Sequence, residues 1–453
     1  MTRSPDSEDG LHDATGGEPQ REASAGLPEV VRQAGEAPPG AGPRDATRPR
    51  SMDSRVWRLA FARAVNTMGM SLVISFMGIY IVETRGYPAW VYGVIALCAN
   101  VGQSMSNAWA GNLSDRIGRR PLITTSLFIR SGFVALLGTQ ILLDAPLWTL
   151  GINMVVISTL RGCFEPVAYA LVADVVRDDQ RVSAFGIQRM GTNLGWALGP
   201  ALGGILTLVM PYGAVFYLAA AGTIVAAIVT LGVEDPVRQA SAAAASDGDL
   251  KGALREGLAD RVMRMLLLGT FLCAVLETQM FSTFSIYMTT ELGLTQADVG
   301  LLYSCNGVGV LLLQVPALSL IRRFGIRTML PWSSFVDGLS FALIGVASGF
   351  TGGALAILAM TCAEVVFDPA QQAAIAEVAD PARRGRTFGV VGFASMLGIA
   401  VAPLIGGGLL DAIGEHHVML WLVISAIGAG QTACFVAFVR RRRTAVMPPI
   451  PAP

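Results

Sequence analysis

Long apolar stretches with few charged residues recur along most of the chain. An α-helix needs about 20 apolar residues to cross the hydrocarbon core of a membrane. Strands of a membrane β-barrel would be shorter and would alternate in polarity, which these stretches do not. The pattern predicts twelve transmembrane helices, at residues 57–82, 88–110, 121–141, 147–176, 183–210, 212–233, 262–288, 297–321, 328–349, 353–378, 387–410 and 417–439.

Two polar segments interrupt this pattern. Residues 1–54 are rich in Pro, Gly, Ala and charged residues and almost lack large apolar side chains, so they cannot bury enough surface to fold. They also lack the apolar core of a signal peptide. The segment 234–261 separates six spans from six, and its end, from Lys251 to Arg264, is typical of a basic amphipathic helix on a membrane surface. The predicted organisation is a disordered tail 1–54, a six-helix half 55–233, a linker 234–261, a six-helix half 262–440 and a tail 441–453.

The arginines are distributed unevenly among the loops. Cytoplasmic loops of membrane proteins are enriched in Lys and Arg. With the N-terminus inside, the opposite loops hold Arg85 alone, beside Asp144, Glu291, Asp411 and Glu415. We therefore expect a multi-pass plasma (inner) membrane protein with both termini in the cytoplasm. The cytoplasmic arginines would be Arg116, Arg119, Arg120, Arg177, Arg181, Arg322, Arg323, Arg327, Arg383, Arg384, Arg386 and Arg440 to Arg443.

The two halves repeat each other. A shift of 207 residues superposes Gly93 on Gly300, and a shift of 203 superposes Pro200 on Pro403. Duplicated halves of this kind are typical of transporters, whose binding site lies between the halves near the middle of the membrane. The predicted fold class is an all-α membrane protein whose twelve transmembrane helices form two pseudo-symmetric six-helix bundles.

Composition agrees with this class and excludes several others. Hydrophobic residues make up 53% of the chain and charged residues 15%, with a mean hydropathy of +0.54, whereas a soluble domain has about 25% charged residues. A net charge of +0 argues against a nucleic-acid partner. The six cysteines lie in apolar runs without metal-ligand spacing, and no nucleotide-binding Gly-rich loop is present. We expect no cofactor, no metal and no catalytic site, so an ion gradient must drive any uphill transport.

The loop after the second span carries a distinctive motif. It reads Gly111-Asn-Leu-Ser-Asp115-Arg116-Ile-Gly118-Arg119-Arg120-Pro121, and Gly111 would let two helices approach closely. This string closely resembles the signature loop of the major facilitator superfamily, in particular its twelve-helix drug or metabolite:proton antiporters. The resemblance covers about residues 55–440 and implies that Gly111, Asp115, Arg116, Gly118, Arg119 and Arg120 are gating residues. The second half departs from the motif, because Arg322 occupies the position equivalent to Asp115.

The fifth span carries glycines at four-residue spacing. Such glycines lie on one helix face and permit close backbone contact, and a proline bends the helix. The set is Gly195, Gly199, Pro200, Gly203 and Gly204. The set indicates helix packing, and it also resembles a span-five motif that the family associates with proton-coupled exporters.

Charged residues lie near the middle of the fourth span. Burying a charge there costs at least about 2.5–3.5 kcal/mol, so Arg161 needs a partner, and Glu165 lies one turn away on the same face. Arg161 resembles the family's span-four arginine, which is linked to proton coupling, although the glutamine-glycine pair that usually follows it is missing. A structural ion pair is the alternative.

The repeat places acidic residues at the equivalent positions of the tenth span. At the 203 shift, Glu364 corresponds to Arg161 and Asp368 to Glu165, so opposite charges could face each other across a central cavity. The predicted proton-coupling residues are Arg161, Glu165, Glu277, Glu364 and Asp368. The predicted solute-binding residues are Asn66, Asn107 and Gln279, each of which could instead form a hydrogen bond between helices. The equivalent pair Arg130 and Asp337 is interpreted as structural.

The favoured function is secondary active transport: proton-coupled efflux of a small drug-like molecule or metabolite by alternating access. The expected partners are the solute, protons and the lipid bilayer, and the chain is expected to be a monomer. The alternatives are an uptake symporter or facilitator for a small nutrient and a membrane enzyme or sensor. The sequence names neither the solute nor its direction of movement.

Overall fold

The computed structural model describes residues 52–177, 180–234, 250–379, 384–413 and 416–446, without the side chains of a few of them. Most of the predicted N-terminal tail and the middle of the linker lie outside these residues. The helices are α1 Ser54–Ile79 (extended by a π-helical turn, Tyr80–Thr84), α2 Ala89–Ile117, α3 Arg119–Leu142, α4 Leu147–Gly162, α5 Glu165–Val175, α6 Arg181–Leu206, α7 Tyr212–Leu231, α8 Leu250–Ala259, α9 Arg261–Thr278, α10 Thr283–Thr290, α11 Gln296–Phe324, α12 Ile326–Ile344, α13 Gly349–Val378, α14 Arg384–Ile413 and α15 His417–Val446.

Every predicted span coincides with one helix or with a pair of consecutive helices. Within the described residues, nine helical segments are long and apolar enough to cross a membrane. Helices α2, α6 and α12 occupy the places of the second, fifth and ninth predicted spans. The chain is therefore a multi-pass, all-α membrane protein, and the predicted fold class is confirmed.

Two spans that the apolar pattern predicts as continuous are interrupted. The fourth span breaks between α4 and α5, where Pro166 stands in the first turn of α5 and has no backbone N–H to continue the helical ladder. The seventh span breaks between α9 and α10. There the Gln279 side chain donates to the Ala402 carbonyl of α14, at 2.9 Å.

The linker helix is shorter than predicted. The predicted amphipathic helix runs to Arg264, but α8 ends at Ala259 and Arg264 already belongs to α9. The reason is Asp260, whose carboxylate accepts from the backbone N–H groups of Val262 and Met263 and so caps a new helix.

Helix contacts repeat in the two halves. In the first half α1 packs against α6 and α7, α2 against α4, and α3 against α7. In the second half α9 packs against α14 and α15, α11 against α13, and α12 against α15. The two most extensive contacts between the halves are α2 with α14 and α6 with α11, and they too are related by the duplication. Smaller contacts join α10 to α1 and to its π-helical turn. Helices α2, α6, α11 and α14 therefore form most of the boundary between the halves.

Candidate functional site

The two halves touch through glycines at one side of the membrane. A Cβ atom added at Gly300 of α11 would lie 2.3 Å from the Pro200 carbonyl oxygen, and one at Gly93 of α2 would lie 2.6 Å from Leu404 Cα. Gly204 and Gly407 repeat the arrangement, each 2.6 Å from a backbone oxygen of the other half. We call this the opposite side, because it faces away from the arginine-rich loops between α2 and α3 and between α11 and α12. No other residue type permits this backbone contact.

A carboxylate reinforces the contact at the opposite side. Asp411 of α14 accepts from the backbone N–H groups of Ala89 and Trp90, at 2.9 and 2.7 Å. These N–H groups are the first of α2, where a negative charge is stabilised by the helix dipole. Asp411 therefore caps a helix of the other half.

We expect Asp411→Ala to weaken closure of the opposite side. The loss should be about 1 kcal/mol, at the lower part of the range for helix caps because the site is partly exposed. Labelling of a cysteine placed at Tyr87 by a membrane-impermeant reagent measures the effect. Faster labelling than in the parent is expected, and an unchanged rate would show that the cap does not hold this side closed.

The halves separate toward the arginine-rich side. An added Cβ at Gly111 of α2, Gly186 of α6 or Gly389 of α14 would meet nothing within 4 Å. Gly93 and Gly111 are separated by about 27 Å along α2, at 1.5 Å per residue. The expectation that Gly111 allows close helix approach is wrong for this conformation, because no other helix comes within 4 Å of an added Cβ at this position.

The predicted gating loop is anchored within its own half. Gly118 joins α2 to α3 at φ +98°, which favours glycine. Arg119 donates to the Ala170 carbonyl and forms an ion pair with Asp174, at the end of α5. Gly111, Arg116 and Arg120 lie at the same side, and the side chain of Asp115 lies outside what the structure describes. The gating role of all six residues stays a prediction.

We expect Arg119→Ala to lower the maximal transport rate several-fold with little change in the half-saturating solute concentration. Arg119 lines neither cavity, so its loss should not change solute binding directly. A partly exposed ion pair contributes only about 0–1 kcal/mol to stability, so the variant should fold normally. Initial-rate kinetics in proteoliposomes test this. A change confined to the half-saturating concentration would contradict a gating role.

Two cavities lie between the halves. Cavity A has a volume of about 440 Å³ and is framed mainly by α2, α4, α9 and α14. Its polar lining includes Asn107, the ion pair of Arg161 Nη2 with Glu165 Oε1, at 3.4 Å, and Glu277 of α9. The side chain of Arg161 thus has the partner that its sequence position requires.

Cavity B has a volume of about 330 Å³ and is framed by α6, α11 and α13. Its carboxylates are Glu364, which accepts from the Asn306 amide at 3.0 Å, and Asp368, which is 3.4 Å from Nη2 of Arg189. Arg189 belongs to α6, so this ion pair connects the two halves.

Aromatic side chains form the wall between the cavities. Trp196 of α6 and Phe281, in the interruption of the seventh span, line both cavities. Their ring centroids are 4.8 Å apart, and Phe281 in turn stacks on Tyr303 at 5.3 Å.

The duplication holds at the level of the cavities, but the suggestion that Arg161 and Glu364 face each other across one cavity is wrong. Arg161 and Glu364 occupy equivalent places, each lining a cavity of its own. They do not face each other across one central cavity, because Trp196 and Phe281 stand between the two spaces. Arg161 is neutralised by Glu165 of the same span, whereas Asp368 is paired with Arg189 of the other half.

The predicted solute-binding residues divide between cavity and helix interface. Asn107 lines cavity A. Asn66, which is buried, instead accepts from Arg130, and Gln279 is fully buried between α9 and α14. Neither lines a described cavity, since hydrogen bonds to a neighbouring helix fix both. Asp337, the equivalent of Arg130, is buried in α12.

The glycines of the fifth span lie against two helices. Gly195, Gly199 and Gly203 face α1. An added Cβ at each would lie 2.5–2.7 Å from an atom of α1, and at Gly199 the Ser71 hydroxyl would be closer still. Gly204 faces α11 instead, and Pro200 supplies the carbonyl that Gly300 contacts. This placement agrees with the helix-packing interpretation.

The sequence interpretation overlooked three residues at the interface of the halves. Arg189 lies well inside the fifth predicted span, and a charge within a span is itself a signal of function. Trp196 follows Gly195 on the same helix, but nothing in its surroundings distinguishes it from a lipid-facing aromatic. Asp411 was counted as a loop charge, although it lies in α14.

Comparison with known proteins places the chain among transporters. The family model described as Major Facilitator Superfamily matches residues 59–284 and 266–453. Among curated proteins, an uncharacterized MFS-type transporter, YqjV, of Bacillus subtilis is 25% identical, and the alignment covers 82% of this chain and 90% of YqjV. The multidrug resistance protein MdtH of Aeromonas salmonicida is also 25% identical, with 82% and 92% covered. A Na(+), Li(+), K(+)/H(+) antiporter of Planococcus maritimus is 23% identical, with 74% and 84% covered.

Solved structures show the same fold. The nucleoside transporter NupG superposes with a TM-score of 0.71 at 14% sequence identity, and the match covers 85% of this chain and 99% of NupG. At this identity the likeness concerns the fold alone.

Proposed function

Because the chain belongs to the major facilitator superfamily, whose members are transporters and not enzymes, we propose that it exports a small drug-like molecule or metabolite across the plasma membrane in exchange for protons. The halves are in contact at the opposite side and apart at the arginine-rich side, around cavities that contain charged side chains. This asymmetry is the observation that carries the proposal, since it is what one state of an alternating-access cycle requires.

The proposed orientation places the arginine-rich side and both termini in the cytoplasm. In the state described, the solute would then enter the cavities from the cytoplasm. Movement of one half against the other about α2, α6, α11 and α14 would close this side and open the opposite one. One chain supplies both halves, so a monomer suffices for the cycle, and residues 234–261 connect the halves.

The proposed proton-coupling residues line both cavities, and Glu277 is the one that carries the proton. It lines cavity A, where Arg161 and Glu165 pair with each other rather than with Glu277. A proton can therefore neutralise its carboxylate. Arg161 and Glu165 line the same cavity, so a change in their distance from Glu277 would alter its charge state during the cycle.

Similarity to a multidrug resistance protein and to a cation/proton antiporter supports export by antiport. Two features of the chain point the same way: the glycine and proline pattern of α6, which resembles that of proton-coupled exporters, and the carboxylates of both cavities.

The experiment is transport into inside-out membrane vesicles that carry the protein. A survival screen of expressing cells against toxic compounds first supplies the solute. With an acidic vesicle interior, we expect the solute to accumulate inside and a protonophore to abolish accumulation. Accumulation only in right-side-out vesicles would show uptake instead, and accumulation that ignores the pH gradient would show that protons are not the coupling ion.

A further inference from the structure

The charge of cavity B is balanced across the interface between the halves. Two carboxylates, Glu364 and Asp368, and one guanidinium, Arg189, are the charged groups of its described lining. When both carboxylates are ionised, one negative charge has no positive partner. In cavity A the equivalent positions hold Arg161 and Glu165, which pair within one span and move together.

Arg189 is a loosely held partner. Its Nη2 atom is 3.4 Å from Asp368 Oδ2, and its side chain is 56% exposed. A tight guanidinium–carboxylate hydrogen bond is about 2.7–2.9 Å long. Because Arg189 and Asp368 belong to different halves, any movement of one half against the other changes this distance. The carboxylates then need another cation.

The cavity has the size and the surfaces for an organic cation. Its volume of about 330 Å³ lies within the range of small-molecule pockets, about 300–1,000 Å³. Asn306 fixes Glu364 in place, and Trp196 and Phe281 offer aromatic faces at the boundary with cavity A. Aromatic faces attract organic cations.

We propose that cavity B is a compartment for the cationic group of the transported solute, which binds Glu364 and Asp368 in place of Arg189. The aromatic wall, formed by Trp196 and Phe281, contacts the apolar part of the solute. Arg189 acts as a tethered competitor that pairs with Asp368 when no solute is bound and links α6 to α13. The identity of the occupant as the transported solute rests on the proposed function, whereas the cation site itself does not.

The site can be tested without transport by removing the Arg189 guanidinium and supplying a small guanidinium ion in solution. The full chain carrying Arg189→Ala is purified, and its melting temperature is measured with methylguanidinium or with methylurea, a neutral molecule of the same shape. We expect methylguanidinium to stabilise the variant at a concentration about tenfold or more below the one that the parent needs. Methylurea should have no effect. If Arg189→Ala does not fold, Arg189→Gln replaces it.

Matched variants show where the cation binds. Addition of Glu364→Gln and Asp368→Asn to Arg189→Ala should remove the stabilisation. Arg58→Ala should behave as the parent, since Arg58 lies outside both cavities and donates to the Gly232 carbonyl. Equal stabilisation by methylurea, or stabilisation that survives loss of both carboxylates, would overturn the proposal.

A second experiment measures the equilibrium binding of ethidium, an aromatic cation, to the same proteins without any ion gradient. Arg189→Gln should tighten binding several-fold and Glu364→Gln should weaken it. Unchanged or weaker binding of ethidium to Arg189→Gln would show that Arg189 does not compete with the cation and would refute the proposal. Failure of pH-driven transport with these binding results intact would refute only the proposed proton coupling.

Discussion

Glu277→Gln is expected to reduce accumulation of the solute under a pH gradient to the level of vesicles without the protein. Glutamine keeps the shape of the side chain in cavity A but cannot exchange a proton. Glu277 lines cavity A beside Arg161 and Glu165, which pair with each other, and a proton is the cation that would neutralise its carboxylate. Solute exchange without a gradient should continue, because the walls of the cavity are unchanged.

The measurement is counterflow and gradient-driven flux of the same solute in proteoliposomes. Glu83→Gln is the matched control, because Glu83 is exposed at the opposite side, outside both cavities, and it should behave as the parent. If Glu277→Gln accumulates solute as the parent does, the proton is carried by another group, with Glu364 and Asp368 the next to test.

Gly300→Leu is expected to trap the protein with its opposite side open and to reduce transport to a small fraction of the parent rate. The added Cβ would lie 2.3 Å from the Pro200 carbonyl oxygen, whereas real Cβ atoms essentially never come closer than 3.0 Å to another atom, so α6 and α11 must separate. The clash is with backbone, which cannot rotate away. Since α6 and α11 belong to different halves, the separation displaces one half against the other.

A cysteine at Tyr87 again reports on the opposite side, through its reaction with an impermeant reagent. Gly132→Leu is the control, because an added Cβ at Gly132 of α3 meets nothing within 4 Å. It should leave labelling and transport unchanged. Gly93→Leu, the equivalent substitution at the α2–α14 contact, should reproduce the effect of Gly300→Leu. Unchanged labelling in both interface variants would mean that these contacts do not close the opposite side.

The features that the sequence predicts well are those that depend on local composition. The spans follow from apolar length, and the paired glycines, such as Gly93 and Gly300, follow from the duplication because a backbone contact between halves tolerates no side chain. The break in the fourth span was also open to prediction, since Pro166 suits the first turn of a helix. The pairing of Arg161 with Glu165 required only helical spacing.

Features that depend on how one half meets the other were not predictable in this way. The duplication gives Arg161 and Glu364 equivalent places, but it does not reveal that Trp196 and Phe281 separate them. Asn66 and Gln279 have the polarity of cavity residues, yet their side chains face neighbouring helices. The polarity of a residue does not reveal which way its helix face is turned. Arg189 finds its partner on the other half, at no fixed spacing along the chain.

The most direct test of alternating access is a pair of distances between spin labels at the α2–α14 contact. One pair, at Ile117 and Phe388, reports on the arginine-rich side, and the other, at Tyr87 and Ala412, reports on the opposite side; all four positions are exposed. Both are measured in a functional cysteine-free protein in lipid, with and without solute and at acidic and neutral pH. The proposed cycle predicts that the first distance shortens whenever the second lengthens. Two distances that change in the same direction, or that stay constant in a protein that transports, would contradict it.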